Sequence, residues 1–429
     1  MRISQYAYSH SMDKMTILYH TLNKSILMID RALLKEQIID KNSFSQDELK
    51  ILNDFDFFVP NGYNEIEDAK KRLTSLWDSM DTFEIIIHVT NKCNCRCVYC
   101  YETGMYEKSG IFGDFTHLDD FLLYCKQAFP YNNAVLSFHG GEPSLYPDTI
   151  LSLYETVKKH FPKLQTTMVS NGVLLHTRKM LNVLKKIKID RVLITIDGYK
   201  ELHDIRRPIK HHGSSFNKIL LSLETLRKEK IPIHISTNID RANYHAIDYV
   251  YNEIIKKYSP NNFYFAKVCS GENNPYSMCL SDSEFDEIIA DFYKRHDLTS
   301  KETNAFYEEY FGTFICSSKS MNVLIIDSFG DVYNCISLTG NKKHSRGNIK
   351  DGFKSVYSRI ENYMNAVFSS PCKDCIYLPM CYGGCQLAKL TKENNSGCPK
   401  KRFDRMLPRV LEWKTIKQLN SSHYTKATE

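Results

Sequence analysis

Three cysteines at short spacing, Cys93, Cys97 and Cys100, are the residues of this chain best suited to chemistry. They follow the pattern C-x3-C-x2-C, with Tyr99 before the last one. Cysteine thiolates are the usual ligands of iron–sulfur clusters. Three thiolates bind only three irons of a [4Fe–4S] cube, so the fourth iron stays open for a small molecule. A cube with one open iron can bind a substrate and cleave it, whereas a fully ligated cube mostly transfers electrons.

Two alternatives to this ligand set remain open. Cys95 lies inside the motif but off its spacing, and we interpret it as a spectator. A set that uses Cys95 as a ligand is the first alternative. A structural zinc site is the second, but it would need a fourth ligand nearby. His88 precedes the motif, yet it lies in the predicted strand.

A second motif, Phe138-His139-Gly140-Gly141-Glu142-Pro143, closes the next predicted strand. Two glycines allow the backbone to approach a ligand closely. A carboxylate beside them can accept hydrogen bonds from an ammonium group. Alone, this sequence would usually be a turn. Its position one strand–helix unit after the cysteines favours a binding turn.

Together, the cysteine motif, Tyr99, the apolar strand before them and the Gly-Gly-Glu-Pro sequence resemble the radical S-adenosylmethionine (SAM) enzymes. The resemblance implies that the amino and carboxylate groups of SAM chelate the open iron. It also implies reductive cleavage of SAM to a 5′-deoxyadenosyl radical, which abstracts hydrogen from an unactivated carbon. The protein would bind and orient the reactants and exclude water.

Polar residues also follow the third, fourth and fifth predicted strands, and taken singly each group could be a cap or a turn. By resemblance, Thr195 would contact the ribose, Arg207 the carboxylate and Ile239 the adenine, and Tyr99 would line the cluster side. The residues that the resemblance implies for SAM binding are Tyr99, Gly140, Gly141, Glu142, Ser170, Asn171, Thr195, Arg207 and Ile239.

Seven further cysteines lie near the end of the chain, four of them spaced C-x2-C-x5-C-x3-C. The pattern resembles the SPASM extension of radical SAM peptide-modifying enzymes, which holds two auxiliary clusters, so three [4Fe–4S] clusters are expected in all. A zinc ribbon is the alternative for such pairs. The resemblance assigns one cluster to Cys372, Cys375, Cys381 and Cys398, and the other to Cys316, Cys335 and Cys385.

The second auxiliary set has three cysteines rather than four. Its remaining iron could take a substrate thiolate, since soft ligands suit such irons. Alternatively, Cys269, Cys279 or a residue other than cysteine completes the set. Cys125 lies in an amphipathic helix and is expected in the core.

Strand and helix patterns alternate from about residue 81, which predicts parallel strands and an α/β fold. Six strands predict a partial (β/α)6 TIM-like barrel, with ligands at the carboxyl ends of the strands. A β-hairpin is predicted further on, over Val323–Ile326 and Val332–Cys335. The predicted barrel strands are Glu84–Val89, Ala134–Phe138, Thr166–Ser170, Arg191–Ile196, Ile231–Thr237 and Phe263–Val268, and the helices between them include Asp114–Ala128, Thr177–Ile187, Ser215–Lys228 and Tyr244–Tyr258.

A small α+β module is predicted before the barrel. Its strands are Thr16–Tyr19 and Ser25–Ile29, its helices are Arg31–Ile39 and Ser45–Phe55, and Ser45 with Glu48 fits a capping box. The module is either a packing extension or a leader-peptide clamp that adds a strand to a sheet edge. The expected domains are residues 1–80 (this peptide-binding-like module), 81–310 (the radical SAM core), 311–415 (the SPASM auxiliary-cluster domain) and 416–429 (a tail).

Composition limits the function classes. The chain has 429 residues, too many for one ordinary core. The net charge of +6 is spread along the chain, without the concentrated patch that nucleic acid requires. We find neither an apolar run of ~18 residues nor a secretory signal, so no membrane partner is expected and the cytoplasm is the default location. The 14 cysteines cluster at short spacings, which favours metal ligation over disulfides.

The favoured function is maturation of a ribosomally made peptide, with a thioether preferred over a carbon–carbon cross-link. The partners would be a precursor peptide with a leader and a reductant such as flavodoxin or ferredoxin. Anaerobic sulfatase maturation is an alternative, although relatives with that activity carry an acidic residue where Ile336 stands, directly after Cys335. A non-catalytic iron–sulfur or zinc scaffold is the other. The general base stays open, with His139, His203 and Asp204 as candidates.

Overall fold

The structure is a computed structural model that describes most of the chain. The chain divides into two compact units. One unit contains Met1–Asp78, His296–Cys316 and Asn362–Glu429, and the other contains Ser79–Arg295 and Ser317–Glu361. The domain boundaries expected from the sequence stay a prediction. The described residues are 1–12, 15–29, 44–78, 81–104, 108–129, 131–210, 213–270, 275–296, 298, 316, 318, 320, 322–352, 367–368, 371–385, 387 and 397–420. The predicted helix Arg31–Ile39 lies outside them.

The N-terminal part of the first unit is an α+β arrangement, as predicted. Its elements are β1 (Arg2–Ile3), β2 (Ala7–Met12), β3 (Met15–His20), β4 (Ile26–Ile29), α1 (Gln46–Asp54), β5 (Phe58–Val59) and α2 (Glu65–Asp78). Strands β2, β3 and β4 form an antiparallel sheet in that order, and β1 pairs with β5. The capping box is confirmed, because Ser45 accepts from the Glu48 amide and Glu48 accepts from the Ser45 amide. The sequence did not predict β2 and α2.

The second unit is built on one sheet of eight strands, and its six consecutive parallel strands confirm the partial barrel. The strands are β6 (Thr82–Thr90), β7 (Asn133–Gly140), β8 (Lys163–Ser170), β9 (Arg191–Thr195), β10 (Ile233–Ile239), β11 (Asn262–Lys267), β12 (Val323–Ile326) and β13 (Val332–Tyr333). Their spatial order is β11-β10-β9-β8-β7-β6-β12-β13. The predicted hairpin is therefore present, and its first strand, β12, extends the sheet by pairing with β6 in parallel.

Helices follow the parallel strands. They are α3 (Phe115–Ala128), α4 (Pro147–His160), α5 (Arg178–Lys186), α6 (Lys200–Arg206), α7 (Ser215–Lys228), a helical segment over residues 244–258 and α8 (Asp282–Arg295). The helices predicted between the strands are confirmed, with ends that differ by a residue or two. Helices α4 and α6 were not predicted. In the segment 244–258, a π-helical stretch, Val250–Ile255, separates two short α-helical turns.

Alternation along the strands separates an apolar face from a polar one. Ile85, Ile87 and Val89 of β6 are completely buried. Burial of such side chains contributes about 1.5–3 kcal/mol each. On neighbouring strands, alternate positions carry hydroxyl and imidazole groups that bind one another, as in the 2.8 Å contact between His139 and Ser137. The sheet is thus stable on one face and equipped with polar groups on the other.

The C-terminal part of the first unit packs on its N-terminal part. The described helices here are α9 (Leu378–Cys381) and α10 (Lys400–Asn420). One core cluster contains Tyr6, Ala69, Leu73, Val367, Leu378 and Tyr382, so residues from both ends of the chain share a core. Among the described helices, none combines the length and the hydropathy needed to cross a bilayer.

Candidate functional site

The cysteine motif lies in the loop that follows β6, and backbone hydrogen bonds fix this loop against the segment after α6. The amide of Arg96 donates to the Pro208 carbonyl at 2.8 Å, and the amide of Val98 donates to the Arg206 carbonyl at 3.0 Å. Cys95 forms an isolated bridge with Ile209 and is buried. The loop is therefore a fixed frame rather than a free connection, and Cys95 faces the protein interior.

The thiols of the motif differ in environment. The pKa of Cys93 lies below its usual value, chiefly because of a hydrogen bond with the Cys95 thiol. Burial raises the pKa of Cys97, and the Arg207 guanidinium partly offsets that effect. Burial and the Glu102 carboxyl raise the pKa of Cys100 to about 12. Bound cations reverse such shifts, because a coordinating thiol is deprotonated.

No three His, Cys, Asp or Glu side chains among the described residues converge on one mononuclear metal position. A cubane cluster does not need such convergence, since each of its thiolates binds a different iron. The donor chemistry of Cys93, Cys97 and Cys100, three thiols on one fixed loop, fits an iron–sulfur cube.

The Gly-Gly-Glu turn is joined directly to the cysteine loop. The Gly141 amide donates to Thr90 and the Glu142 amide donates to Lys92, both at 2.9 Å. Gly140 has a φ of +123°, and a Cβ built there would lie 2.1 Å from the Thr90 carbonyl oxygen. Only glycine fits this position, because it tolerates both the backbone angle and the close approach. The sequence therefore brings the two motifs together at the carboxyl ends of β6 and β7.

Glu142 is fully buried and binds the end of β8. Its Oε1 accepts from the Ser144 amide at 3.0 Å and from the Ser170 hydroxyl at 2.8 Å, and its Oε2 accepts from the Asn171 amide at 2.7 Å. Burial raises the pKa of this carboxyl, and the hydrogen bonds oppose the shift. Oε2 accepts one hydrogen bond from the described residues, which leaves acceptor capacity for an ammonium group.

Asn171 contacts the cysteine loop through its side chain. Its Nδ2 lies 2.7 Å from Asn94 Oδ1 and 3.7 Å from Cys93 Sγ. Ser170 binds Glu142 and also accepts from the Gly172 amide at 3.0 Å. The two residues expected at SAM thus support the loop and the turn in this structure.

A buried polar network occupies the ends of β9 and β10. Tyr99 donates to Asp197 and accepts from Arg207 Nη1 at 2.7 Å and from Asn238 Nδ2 at 3.2 Å. Arg206 binds both carboxylate oxygens of Asp240, at 2.8 and 2.7 Å. The network therefore places two guanidinium groups among two carboxylates beside the cysteine loop.

Thr195 and Ile239 lie on the same two strands. The Thr195 hydroxyl is 3.1 Å from that of Ser236, its register partner on β10. Ile239 has no exposed surface. The Thr237 hydroxyl is buried without a hydrogen-bond partner among the described residues. A ligand hydroxyl or amine would satisfy this group, to which the sequence reasoning assigned no role.

The three candidate bases have different surroundings. Burial lowers the pKa of His139 to about 4 and that of His203 to about 3, so both imidazoles are neutral near pH 7. His203 Nδ1 accepts from the Asp197 amide at 3.1 Å. Asp204 accepts from the Ser215 hydroxyl and the Phe216 amide, both at 2.9 Å, at the start of α7. Asp204 therefore acts here as a helix cap.

The C-terminal cysteines divide between the two compact units. Cys335 belongs to the unit with the barrel, and the other six belong to the first unit. Within the first unit, burial raises the pKa of Cys375, and the neighbouring thiols of Cys398 and Cys372 add to the shift. Three thiols of the predicted set Cys372, Cys375, Cys381 and Cys398 thus lie near one another. The set Cys316, Cys335 and Cys385 stays a prediction.

Sequence reasoning assigned no role to the acidic and amide members of the network. Asp197 and Asp240 are fully buried and Asn238 donates to both Tyr99 and Asp197. Each follows or ends a predicted strand, which was the available signal. The pairing of each carboxylate with an arginine depends on side-chain direction, which the pattern does not contain.

Comparison with known proteins agrees with this geometry. The family model of the Radical SAM superfamily matches residues 87–254. The cysteine-type anaerobic sulfatase-maturating enzyme of Clostridium novyi (strain NT) is 25% identical over 342 residues, which cover 71% of this chain and 88% of that enzyme.

Two solved structures share the fold. The structure of anSMEcpe with bound AdoMet superposes with a TM-score of 0.62 at 20% identity and covers 79% of this chain and 98% of its own. Streptococcus suis SuiB bound to precursor peptide SuiA gives a TM-score of 0.55 at 15% identity and covers 92% of this chain and 97% of its own. At these identities the likeness concerns the fold.

Proposed function

We propose that the chain is a radical SAM enzyme of the SPASM-type maturase family and that it cross-links a ribosomally synthesised peptide. The observation that carries the proposal is the joining of the three-cysteine loop to the Gly-Gly-Glu turn, together with the seven-cysteine C-terminal region. The likeness to SuiB, solved with a precursor peptide, supports a peptide substrate.

The roles of the cofactor residues are proposed from the family resemblance, and the joined cysteine loop and Gly-Gly-Glu turn support them. Cys93, Cys97 and Cys100 would hold a [4Fe–4S] cluster, and SAM would lie against the Gly140–Gly141 backbone. When bound, the two cofactors supply reductive cleavage of SAM and hydrogen abstraction from carbon. The spare acceptor of Glu142 would bind the SAM ammonium group, and Arg207 would bind its carboxylate.

Further contacts would come from the other predicted residues. Thr195 would bind the ribose, Ile239 would pack near the adenine, and Tyr99 would line the cluster side. Ser170 and Asn171 would act mainly by fixing Glu142 and the cysteine loop. The protein's own contribution is to hold two cofactors beside buried charges and to exclude water from the reacting carbon.

Two auxiliary [4Fe–4S] clusters complete the proposed cofactor set. Cys372, Cys375, Cys381 and Cys398 would hold one of them, and the closeness of three of these thiols supports this set. Cys316, Cys335 and Cys385 would hold the other. The reductant, such as flavodoxin or ferredoxin, and the cytoplasmic location remain predictions.

A thioether is the favoured product. The second auxiliary set offers three cysteines, so a cysteine thiolate of the peptide could occupy its remaining iron. A thioether replaces one C–H bond and one S–H bond of the peptide by one C–S bond, and the product is two hydrogens lighter. A carbon–carbon cross-link loses the same two hydrogens but leaves the cysteine thiol free.

The leader of the peptide would bind the N-terminal sheet. Its edge strand β4, Ile26–Ile29, pairs with β3 on one side, and no strand within the described residues pairs with its other side. The four β4 residues are apolar and half-buried. An extended leader could add a fourth strand there through main-chain hydrogen bonds.

Anaerobic sulfatase maturation is the second candidate, and the similarity to the Clostridium novyi enzyme supports it. The residue after Cys335 argues against it. Ile336 packs against a core cluster of Ile86, Ile325 and Tyr333, so this position offers no carboxylate. A maturase that needs an acidic base here would have to find it elsewhere in the chain.

The test is reconstitution under anaerobic conditions with SAM, a chemical reductant and a short cysteine-containing peptide encoded next to the gene. We expect 5′-deoxyadenosine and a peptide two hydrogens lighter whose cysteine no longer reacts with iodoacetamide. The variant Cys97→Ala should abolish both products, and the matched variant Cys125→Ala, in the core of α3, should retain them.

Other outcomes would contradict the proposal. A mass loss with a reactive cysteine would indicate a carbon–carbon link and reject the thioether. Conversion of a sulfatase peptide to formylglycine, with no change in the neighbouring peptide, would establish the second candidate. Absence of 5′-deoxyadenosine from protein with full iron and sulfide content would indicate a non-catalytic scaffold.

A further inference from the structure

Two adjacent arginines at the end of α6 have different surroundings. Arg206 binds Asp240 through Nη1 and the Asn238 carbonyl through Nη2 at 3.2 Å, and it lies 4.9 Å above the Tyr99 ring. Its Nε, like that of Arg207, makes no hydrogen bond within the described residues, but both of its Nη atoms are bound. Arg207 donates to Tyr99, while its buried Nε has no hydrogen-bond partner within the described part of the chain. Arg207 is thus a buried cation with donors left to bind a ligand.

The hydroxyl of Tyr99 determines how Arg207 is held. A phenol has one proton to donate, and an ionised carboxylate can only accept. Tyr99 must therefore donate to Asp197, and its oxygen lone pairs then accept from Arg207 and Asn238. The result is a series of hydrogen bonds that all point the same way: the guanidinium donates to the phenol, and the phenol donates to the carboxylate.

Asp197 is itself fixed. It is completely buried. Its Oδ1 accepts from the backbone amide of Asn238 at 3.0 Å, and its backbone carbonyl accepts from Asn243 Nδ2 at 2.9 Å. A carboxylate held at both ends in a dry site keeps its orientation, and hydrogen bonds in series strengthen one another. Arg207 consequently has a fixed partner at Nη1, while its Nε is unpaired within the described residues.

We propose that Tyr99 and Asp197 are positioning residues, which hold the Arg207 guanidinium in the orientation that binds the α-carboxylate of SAM. The inference deepens the proposed SAM site and rests on Arg207 as the carboxylate ligand. A planar guanidinium binds a carboxylate with geometric selectivity, so a small rotation weakens the pair. Tyr99 therefore acts on SAM through Arg207 as well as through its ring.

The test measures SAM binding without any peptide, by equilibrium dialysis with anaerobically reconstituted protein. Two probes are compared: SAM and its decarboxylated analogue. Replacing Tyr99 by Phe keeps the ring and removes the hydroxyl. We expect the dissociation constant for SAM to rise about tenfold, the effect of one lost hydrogen bond to a charged group. The constant for the decarboxylated analogue should change less than twofold.

Further variants give the matched comparisons. Tyr276→Phe removes a phenol that donates to Asp240 at 2.8 Å, the neighbouring carboxylate, and should leave both constants unchanged. In an Arg207→Met background, Tyr99→Phe should have no further effect on SAM binding. Iron and sulfide are measured in each variant. If Tyr99→Phe fails to retain the cluster, Asp197→Asn provides the same comparison.

Equal weakening of both probes, or no weakening, would overturn the positioning role, as would a full Tyr99→Phe effect in the Arg207→Met background. These outcomes are independent of the peptide. An enzyme that binds SAM as expected and modifies no peptide would leave the inference intact and contradict the proposed function instead.

Discussion

The side-chain amide of Asn171 lies 3.7 Å from the sulfur of Cys93, which makes it an N–H···S hydrogen-bond donor. The Cys95 amide donates to the same sulfur at 3.4 Å. Two donors on one thiolate stabilise the reduced state of a bound cluster, which carries the extra negative charge. They therefore raise the reduction potential of the cluster. Asn171, expected to contact SAM, is thus also able to tune the cluster.

The variant Asn171→Ala should lower the midpoint potential of the cluster. Loss of one charge-assisted hydrogen bond costs about 1.5 kcal/mol, which corresponds to about 60 mV for one electron. The measurement is a potentiometric titration followed by electron paramagnetic resonance. Asn91→Ala is the control, since Asn91 donates to Lys108 in the same loop. Equal shifts in both variants would mean that loop integrity, and not the N–H···S bond, sets the potential.

Replacement of Gly140 by Ala should prevent cluster incorporation. The new Cβ would meet the Thr90 carbonyl oxygen at 2.1 Å, so β7 and the cysteine loop would have to separate. Gly213→Ala is the matched control, because Gly213 has a similar φ of +125° but open space around its Cβ position. The control isolates the backbone strain, about 1–2 kcal/mol. Iron and sulfide content should fall in Gly140→Ala alone; similar loss in both variants would make strain the cause.

The variant Asp204→Ala should change stability and leave catalysis intact. The carboxylate caps α7 through Ser215 and Phe216, and loss of such a cap costs about 1 kcal/mol. We expect a lower Tm and an unchanged rate of 5′-deoxyadenosine formation at saturating SAM. Ser214→Ala removes the other cap of the same helix and should behave alike. A rate loss above a hundredfold with normal Tm would restore Asp204 as a base.

His20 should make the first unit less stable in mild acid. Burial lowers its pKa to about 4 from 6.5. Between these values the unfolded chain binds a proton that the folded chain does not, so stability is present above pH 6.5 and is lost as the pH falls. The expected loss from pH 7 to pH 5.5 is about 1 kcal/mol.

Thermal unfolding at the two pH values measures this effect. The variant His20→Gln should show a smaller difference in Tm than the wild type, and His245→Gln, at an exposed position, should match the wild type. Other buried histidines are present in all three proteins and do not affect the comparison. An unchanged pH dependence in His20→Gln would show that His20 is protonated in the folded chain.

Sequence patterns predicted the parts of the fold that depend on local order. The six barrel strands follow from apolar runs, and the capping box follows from Ser45 and Glu48 three residues apart. Helix α4 was missed, although Ile150, Leu153, Tyr154 and Val157 have helical spacing and are buried.

Other features depend on contacts between distant residues. The position of β12 beside β6 could not be predicted, because a hairpin pattern does not name the sheet that it joins. Glu142 was expected to face an ammonium group, and it also binds Ser144, Ser170 and the Asn171 amide. The motif specifies which residues occur at the site, while packing decides what each side chain binds.

Strand β6 has a neighbour on each side, and the second one comes late. Asn322, which precedes β12, donates to the Thr82 carbonyl from a position 240 residues further along the chain. On the ribosome, one edge of β6 therefore stays open while most of the protein is still being made. An unpaired apolar edge invites association with other nascent chains. Association at this edge before β12 emerges would thus reduce how much of the newly synthesised protein reaches a state that can be loaded with iron.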